Sequence, residues 1–262
     1  MSGDNTPNFI DENSKNTIKR FAHEALHDLL HFDSKFFKTI PVLIFKPGTL
    51  TLKTFSAEQN QYVKPIVLFV FLNFLLFVLK SKGLFHYTLE AYESQGFFKH
   101  FISVKISQLN IKHDVFEAIF NTSMHFEQQE YLVIMIPPFA LILQLLFIFK
   151  KVPFIENLTF AFHFFSFFII FLLALPVLAI TLQFLVSFFH GQINILNSEI
   201  FLEIMLLTGN FWYLFVSLKK VYKQGWFWTT SKSILLSASV ILLIVYIYRF
   251  ALFFIVLHAM GE

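Results

Sequence analysis

Residues 158–189 read LTFAFHFFSFFIIFLLALPVLAITLQFLVSFF, without one Asp, Glu, Lys or Arg. A hydrocarbon core of about 30 Å needs roughly 20 apolar residues as a helix, so this run is long enough to cross and must tilt, kink at Pro176 or protrude. Similar runs lie on both sides. Downstream are Ile200 to Leu218 and Ile234 to Leu257; upstream are Tyr131 to Phe149, where Pro137-Pro138 predicts a kink or a broken first third, and Val63 to Leu79, opening on Lys64-Pro65. The whole chain agrees with this reading. Of 262 residues 56% are hydrophobic and 14% charged, against about 25% charged in an ordinary globular domain. A water-soluble fold is excluded, and the expectation is an all-α fold: a polytopic transmembrane helical bundle of about five spans with N-terminal amphipathic interfacial helices. The absence of cysteine removes disulfides, thiolate metal sites and cysteine nucleophiles.

Met1 to Thr17 is polar and holds no secretory signal, so insertion is expected to start from an internal span. Lys and Arg flank the spans unevenly. Eight lie before Val63 or at Lys64; Lys150 and Lys151 follow the second span; Lys219, Lys220, Lys223 and Lys232 precede the fifth. All fourteen fall on one side, which predicts a cytoplasmic N-terminus. Lys outnumbers Arg eighteen to two, and with no signal sequence a bacterial inner membrane is the expected location. The formal net charge of +3 reflects this topology rather than a compact basic patch, so nucleic acid is not an expected partner. Anionic headgroups are, because each Lys or Arg near them is worth about 1 kcal/mol.

Residues 1–62 read as a cytoplasmic segment and 63–262 as the transmembrane domain, with an outer helical loop over 81–130. From Lys15 to Phe32, Ile18, Phe21, Ala22, Ala25, Leu26, Leu29 and Phe32 make one apolar stripe at helical spacing. A second short helix, Phe36 to Phe45, ends at Lys46-Pro47-Gly48. Both are expected on the membrane surface or docked on the spans. The first helix carries His23-Glu24-Ala25-Leu26-His27, a literal match to the zinc-protease pattern, and His31 extends the ridge by a turn. A third ligand and an enclosed cleft are missing from the pattern, so the expected role is a solvated polar face, and no catalytic, metal or cofactor residue is assigned.

In the outer loop, Phe97 to Leu109 and Val115 to Met124 read as two short amphipathic helices. Ionisable groups inside spans are costly and rare, which singles out Arg249 and Glu203. They fall at comparable depth on consecutive antiparallel spans, so an ion pair between them is expected. Gln183, His190, Glu199 and His258 gather at the outer side as an interfacial polar cluster. Asn73, Gln144 and Asn210 fit interhelical hydrogen bonds. The phenylalanines Phe162, Phe164, Phe165, Phe167 and Phe168 are expected to face lipid. Trp212, Tyr213, Tyr222, Trp226 and Trp228 read as a cytoplasmic aromatic belt.

His31-Phe32-Asp33, Thr39, Lys46-Pro47-Gly48 and Tyr62-Val63-Lys64-Pro65 together resemble a family of bacterial multi-pass membrane proteins catalogued only as a numbered domain of unknown function. Many of its members begin with a short Cys-rich zinc ribbon. The resemblance implies a helical inner-membrane protein and is strong from Phe21 to Pro65. This chain, having no Cys, lacks the ribbon, so a zinc-dependent role does not carry over, and no activity or catalytic residue does either.

The leading expectation for function is a non-enzymatic accessory or assembly subunit, with membrane lipids and a membrane-protein partner or a second copy as its contacts. A small-solute or ion transporter using Glu203 and Arg249 is the alternative, and a zinc metalloprotease through His23 and His27 the third.

Overall fold

The computed structural model describes residues 34–79, 88–127, 130–188 and 199–260. These are 88% helical, with no strand among them. Residues 34–45 form α1, and α2 runs Thr49–Thr54. The Lys46-Pro47-Gly48 turn joins them, and Gly48 sits at φ 76°, in the left-handed region. A Cβ there would also lie 2.9 Å from the Ser217 carbonyl oxygen, so glycine is required twice over, by its backbone angle and by the close approach of another helix. Leu43 and Leu50 are buried in the same core as the long helices, which docks this N-terminal pair onto the bundle.

Helix α3 covers Pro65–Leu79 and follows a short 3-10 turn at Gln59–Gln61, from which the extended Tyr62 separates it. An outer layer follows: α4 (Leu89–Glu93), α5 (Gly96–Leu109) and α6 (His113–Glu127). The last two coincide closely with the two amphipathic pieces legible in the sequence; α4 carries no periodic signal because it is barely one turn long. Thr88 caps it, its hydroxyl accepting from the Ala91 N–H.

The region expected as a second span is interrupted: a 3-10 segment, Glu130–Met135, leads into α7, Ile136–Leu146, and a 3-10 turn at Ile148–Lys150 ends it. Pro137 and Pro138 sit in the first turn of α7, where missing N–H groups cost nothing, so the α-helix starts there instead of kinking. Helix α8, Phe154–Phe188, is continuous through Pro176. Helix α9 spans Glu199–Tyr222. Last come α10 (Trp226–Leu242), a π-helical stretch over Leu243–Tyr248 and α11 (Arg249–Ala259), together one rod. It begins two turns before the Ile234 expected from hydropathy. Among the described residues three helices are long and apolar enough to cross a membrane: Gln59–Leu79, Phe154–Leu185 and Trp226–Ala259. Leu132–Leu146 is a shorter apolar helix.

Helix α8 is the axis of the core, packing against α3, α7, α9 and α2. Phe164, Phe165, Phe167 and Phe168 are buried there, which corrects the expectation that they face lipid. Phe164 stacks on Phe139 at 4.9 Å and Phe167 on Tyr213 at 3.7 Å. Composition alone does not distinguish a ring that meets lipid from one that meets another helix, because both surroundings are apolar. The close approach of α8 and α9 also depends on Gly209, where a Cβ would lie 2.3 Å from the Phe171 ring. The aromatic belt divides: Trp212, Trp226 and Trp228 are exposed, whereas Tyr213 and Tyr222 are core.

Candidate functional site

Thr39 ties α1 to the start of α3. Its hydroxyl donates to the Lys35 carbonyl at 2.6 Å and accepts from the Val63 N–H at 3.0 Å. Helix α2 lies against α8, and the Thr51 hydroxyl meets His163 Nδ1 at 3.0 Å. Between these contacts lies a cleft of about 330 Å³ whose walls include Lys35, Gln59, Asn60, Tyr62, Lys64 and His163. His163 is only 4% exposed, yet its ring reaches the cleft. Which of the two donates follows the tautomer of the ring. Nε2 has no partner among the described residues. On the rim Lys53 donates to the Glu58 carboxylate at 2.6 Å and to the Tyr62 hydroxyl at 2.9 Å. The hydrogen bond to Glu58 is the main reason its ammonium has a pKa above the ordinary lysine value. Lys35 and Lys64 make no ion pair among the described residues.

A second polar cluster joins α7, α8 and α9. Asn157 donates to Gln144 Oε1 at 2.6 Å, Tyr222 donates to Asn157 Oδ1 at 2.5 Å, and Gln144 donates to the Val152 carbonyl at 3.1 Å. Gln144 thus makes the interhelical bond expected of it. Tyr222 stacks on Phe147 at 3.6 Å, and Lys232 lies over the Phe147 ring at 4.0 Å. Every polar partner is used internally, so this cluster fixes helix positions.

The structure does not bring Glu203 and Arg249 together. The Arg249 guanidinium donates to the Ala91 carbonyl and stands over the Tyr92 ring at 4.7 Å, and the Tyr92 hydroxyl donates back to the Arg249 carbonyl at 3.0 Å. Its partners come from α4 because α11 packs on the outer layer through α6; that layer holds residues the span-by-span depth argument left out. Glu203 is exposed on the first part of α9. Of the outer cluster, Gln183 and His258 are both exposed, His190 lies outside the described residues, and of Glu199 only its place at the start of α9 is described. The histidine ridge of His23, His27 and His31 also lies outside the described residues. No group of three or more potential metal ligands occurs among the described residues.

His163, Thr51 and Lys35 carry no motif in the sequence, and Lys64 reads there only as the opening of a span. The available signal was a lone histidine in a run of 32 uncharged residues.

The fold defines an all-α protein with three helices, among the described residues, long and apolar enough to cross a membrane. Residues 33–77, from just before α1 to near the end of α3, match the family described as "Protein of unknown function (DUF3667)". The matched stretch contains Thr39, Gly48, Thr51 and the Tyr62 to Pro65 turn, so it supplies most of the cleft. No curated protein and no solved structure matches the chain.

Proposed function

We propose that this protein is a non-enzymatic accessory or assembly subunit of a complex in the bacterial inner membrane, crossing five times with its N-terminus cytoplasmic. The observation that carries the reading is the solvent-exposed apolar stretch of α8 from Pro176 to Leu185. From Pro176 to Leu185 only Ala179 is buried and Leu182 half-buried; Val177, Ile180 and Phe184 are each more than 60% exposed. In the first half of α9, Glu203, Ile204, Leu207 and Thr208 are exposed. Exposed apolar surface alone is compatible with lipid, but an exposed carboxylate and the Gln183 amide on the same arm favour a protein cover that satisfies them.

Five crossings are supported by length. Helix α9, with 24 residues, rises about 36 Å. The 3-10, α and 3-10 pieces over 130–150 together rise on the order of 30 Å. The alternative, a small-solute or ion transporter using Glu203 and Arg249, has less support, because the described contacts of Arg249 include the Ala91 carbonyl and the Tyr92 ring and not Glu203.

The test is purification of the full chain from its native membrane in mild detergent, with native mass determination of what is retained. A stoichiometric protein partner, lost when Val177, Ile180 and Phe184 are changed together to Ala, supports the reading. A lone chain whose stability rises with a specific solute overturns it.

A further inference from the structure

The cleft between α1, α2, α3 and α8 is basic at its mouth, polar at its base and open along one side to an apolar groove. Helix α3 begins at Pro65, so the N–H groups of Ile66 and Val67 have no carbonyl one turn back within the helix, and the positive end of its dipole points toward the cleft. Helix N-termini of this kind attract anions. A second, independent feature points the same way: the nine-tenths-buried His163, its Nδ1 bonded to Thr51, lines the same space, and no hydrogen bond to its Nε2 occurs among the described residues. Lys35 and Lys64 add two cations that have no carboxylate partner among the described residues. Val67, on the cleft wall, also lines a groove formed with Ile66, Val70, Phe71 and Phe74 on the face of α3. That groove is apolar throughout, and it runs along a helix fit to cross a membrane.

We infer that this cleft binds the phosphate headgroup of an anionic phospholipid, with one acyl chain lying along the α3 groove. Two lysines, a buried imidazole and a helix N-terminus match a phosphodiester of net negative charge, and a ligand that also fills the groove must be amphiphilic. The inference does not depend on the accessory-subunit reading; it requires only that α3 stand in a bilayer. Its test reads lipid rather than protein, so the two can fail separately.

The full chain, purified in a mild nonionic detergent, is titrated with phosphatidylglycerol, phosphatidylcholine, glycerol phosphate and inorganic phosphate, following bound mass by native mass spectrometry and the thermal midpoint. Phosphatidylglycerol is expected to bind and raise the midpoint, phosphatidylcholine to bind at least about tenfold more weakly, and the two soluble phosphates to do nothing at millimolar concentration. Replacing both surface lysines (Lys35→Gln with Lys64→Gln) leaves the lipid-free midpoint unchanged and weakens phosphatidylglycerol about thirtyfold. Val70→Trp, which fills the groove, weakens the lipid as well. Equal binding of both lipids, an unaltered affinity in the double lysine variant, or saturation by inorganic phosphate alone overturns the proposal; the last outcome assigns the cleft to a free anion.

Discussion

The two ends of α8 have the same kind of sequence and opposite surroundings. Between Phe160 and Ile169 every residue but Phe162 is buried, and Phe162 is half-buried, so the helix is covered on all sides. Between Pro176 and Leu185 nearly every residue is exposed. Both ends are apolar and uncharged, and hydropathy reports only that each leaves water readily. What covers them is decided by other segments: at the inner end α2, α3, α7 and α9 converge, drawn in by Gly48, Gly209 and the Thr51 to His163 bond. Among the described residues the outer end has no such convergence, and there the proposed partner would sit.

The sharpest way to break the comparison is a matched pair of truncations. Phe164→Ala, at a site 1% exposed, is expected to cost about 3–5 kcal/mol of bundle stability, whereas Phe184→Ala, at 69%, should cost less than about 0.5 kcal/mol, both followed by unfolding in mixed micelles. Similar losses at both positions would show that the outer end is packed within the chain after all. Gly48→Ala comes next. It places a Cβ at positive φ and close to Ser217, with an expected loss of about 2 kcal/mol and weakened docking of α1 and α2, read as faster proteolysis near residues 46–48.

On the outer layer, Tyr92→Phe removes one hydrogen bond to the Arg249 carbonyl and should lower the midpoint by the equivalent of about 1 kcal/mol. The charge swap Arg249→Glu with Glu203→Arg should recover nothing over Arg249→Glu alone, since the guanidinium answers to Ala91 and Tyr92. Recovery would restore the ion pair expected from sequence. The smallest effect is pH-dependent. His113 bonds Glu93 at 2.6 Å, and chiefly that contact raises its pKa above 6.5. A raised folded-state pKa stabilises fully below the ordinary histidine value and fades as pH rises through the folded one. Protection of α4 and α5 against proteolysis should therefore decline slightly as pH rises above about 6.5, and His113→Gln should remove the trend.

Much of the helical plan is legible in the sequence, because long apolar runs and 3.6-residue stripes leave few alternatives to membrane-length and amphipathic helices. Helices α5 and α6 and the Lys46-Pro47-Gly48 stop appear where periodicity and Gly48 put them. Pairings are a different matter. Arg249 finds its partner on α4, a helix too short for any periodic signal, and the Phe164 to Phe168 run is core because α7 and α9 happen to flank it. His163 is one polar residue among apolar ones until α2 folds back and supplies Thr51. The cleft is likewise invisible until α1 and α3 are tied by Thr39, since its walls come from positions more than a hundred residues apart in the chain.

The contrast between the covered and uncovered ends of α8 is tested most directly by photo-crosslinking in the native membrane, with a photoreactive side chain placed singly at Phe164, Ile180 and Phe184. Adducts of one defined protein mass are expected at 180 and 184, absent at 164 and lost on mild dissociation of the complex before illumination. Lipid adducts alone at 180 and 184 would contradict the account, leaving the outer end of α8 as a helix that meets only the bilayer.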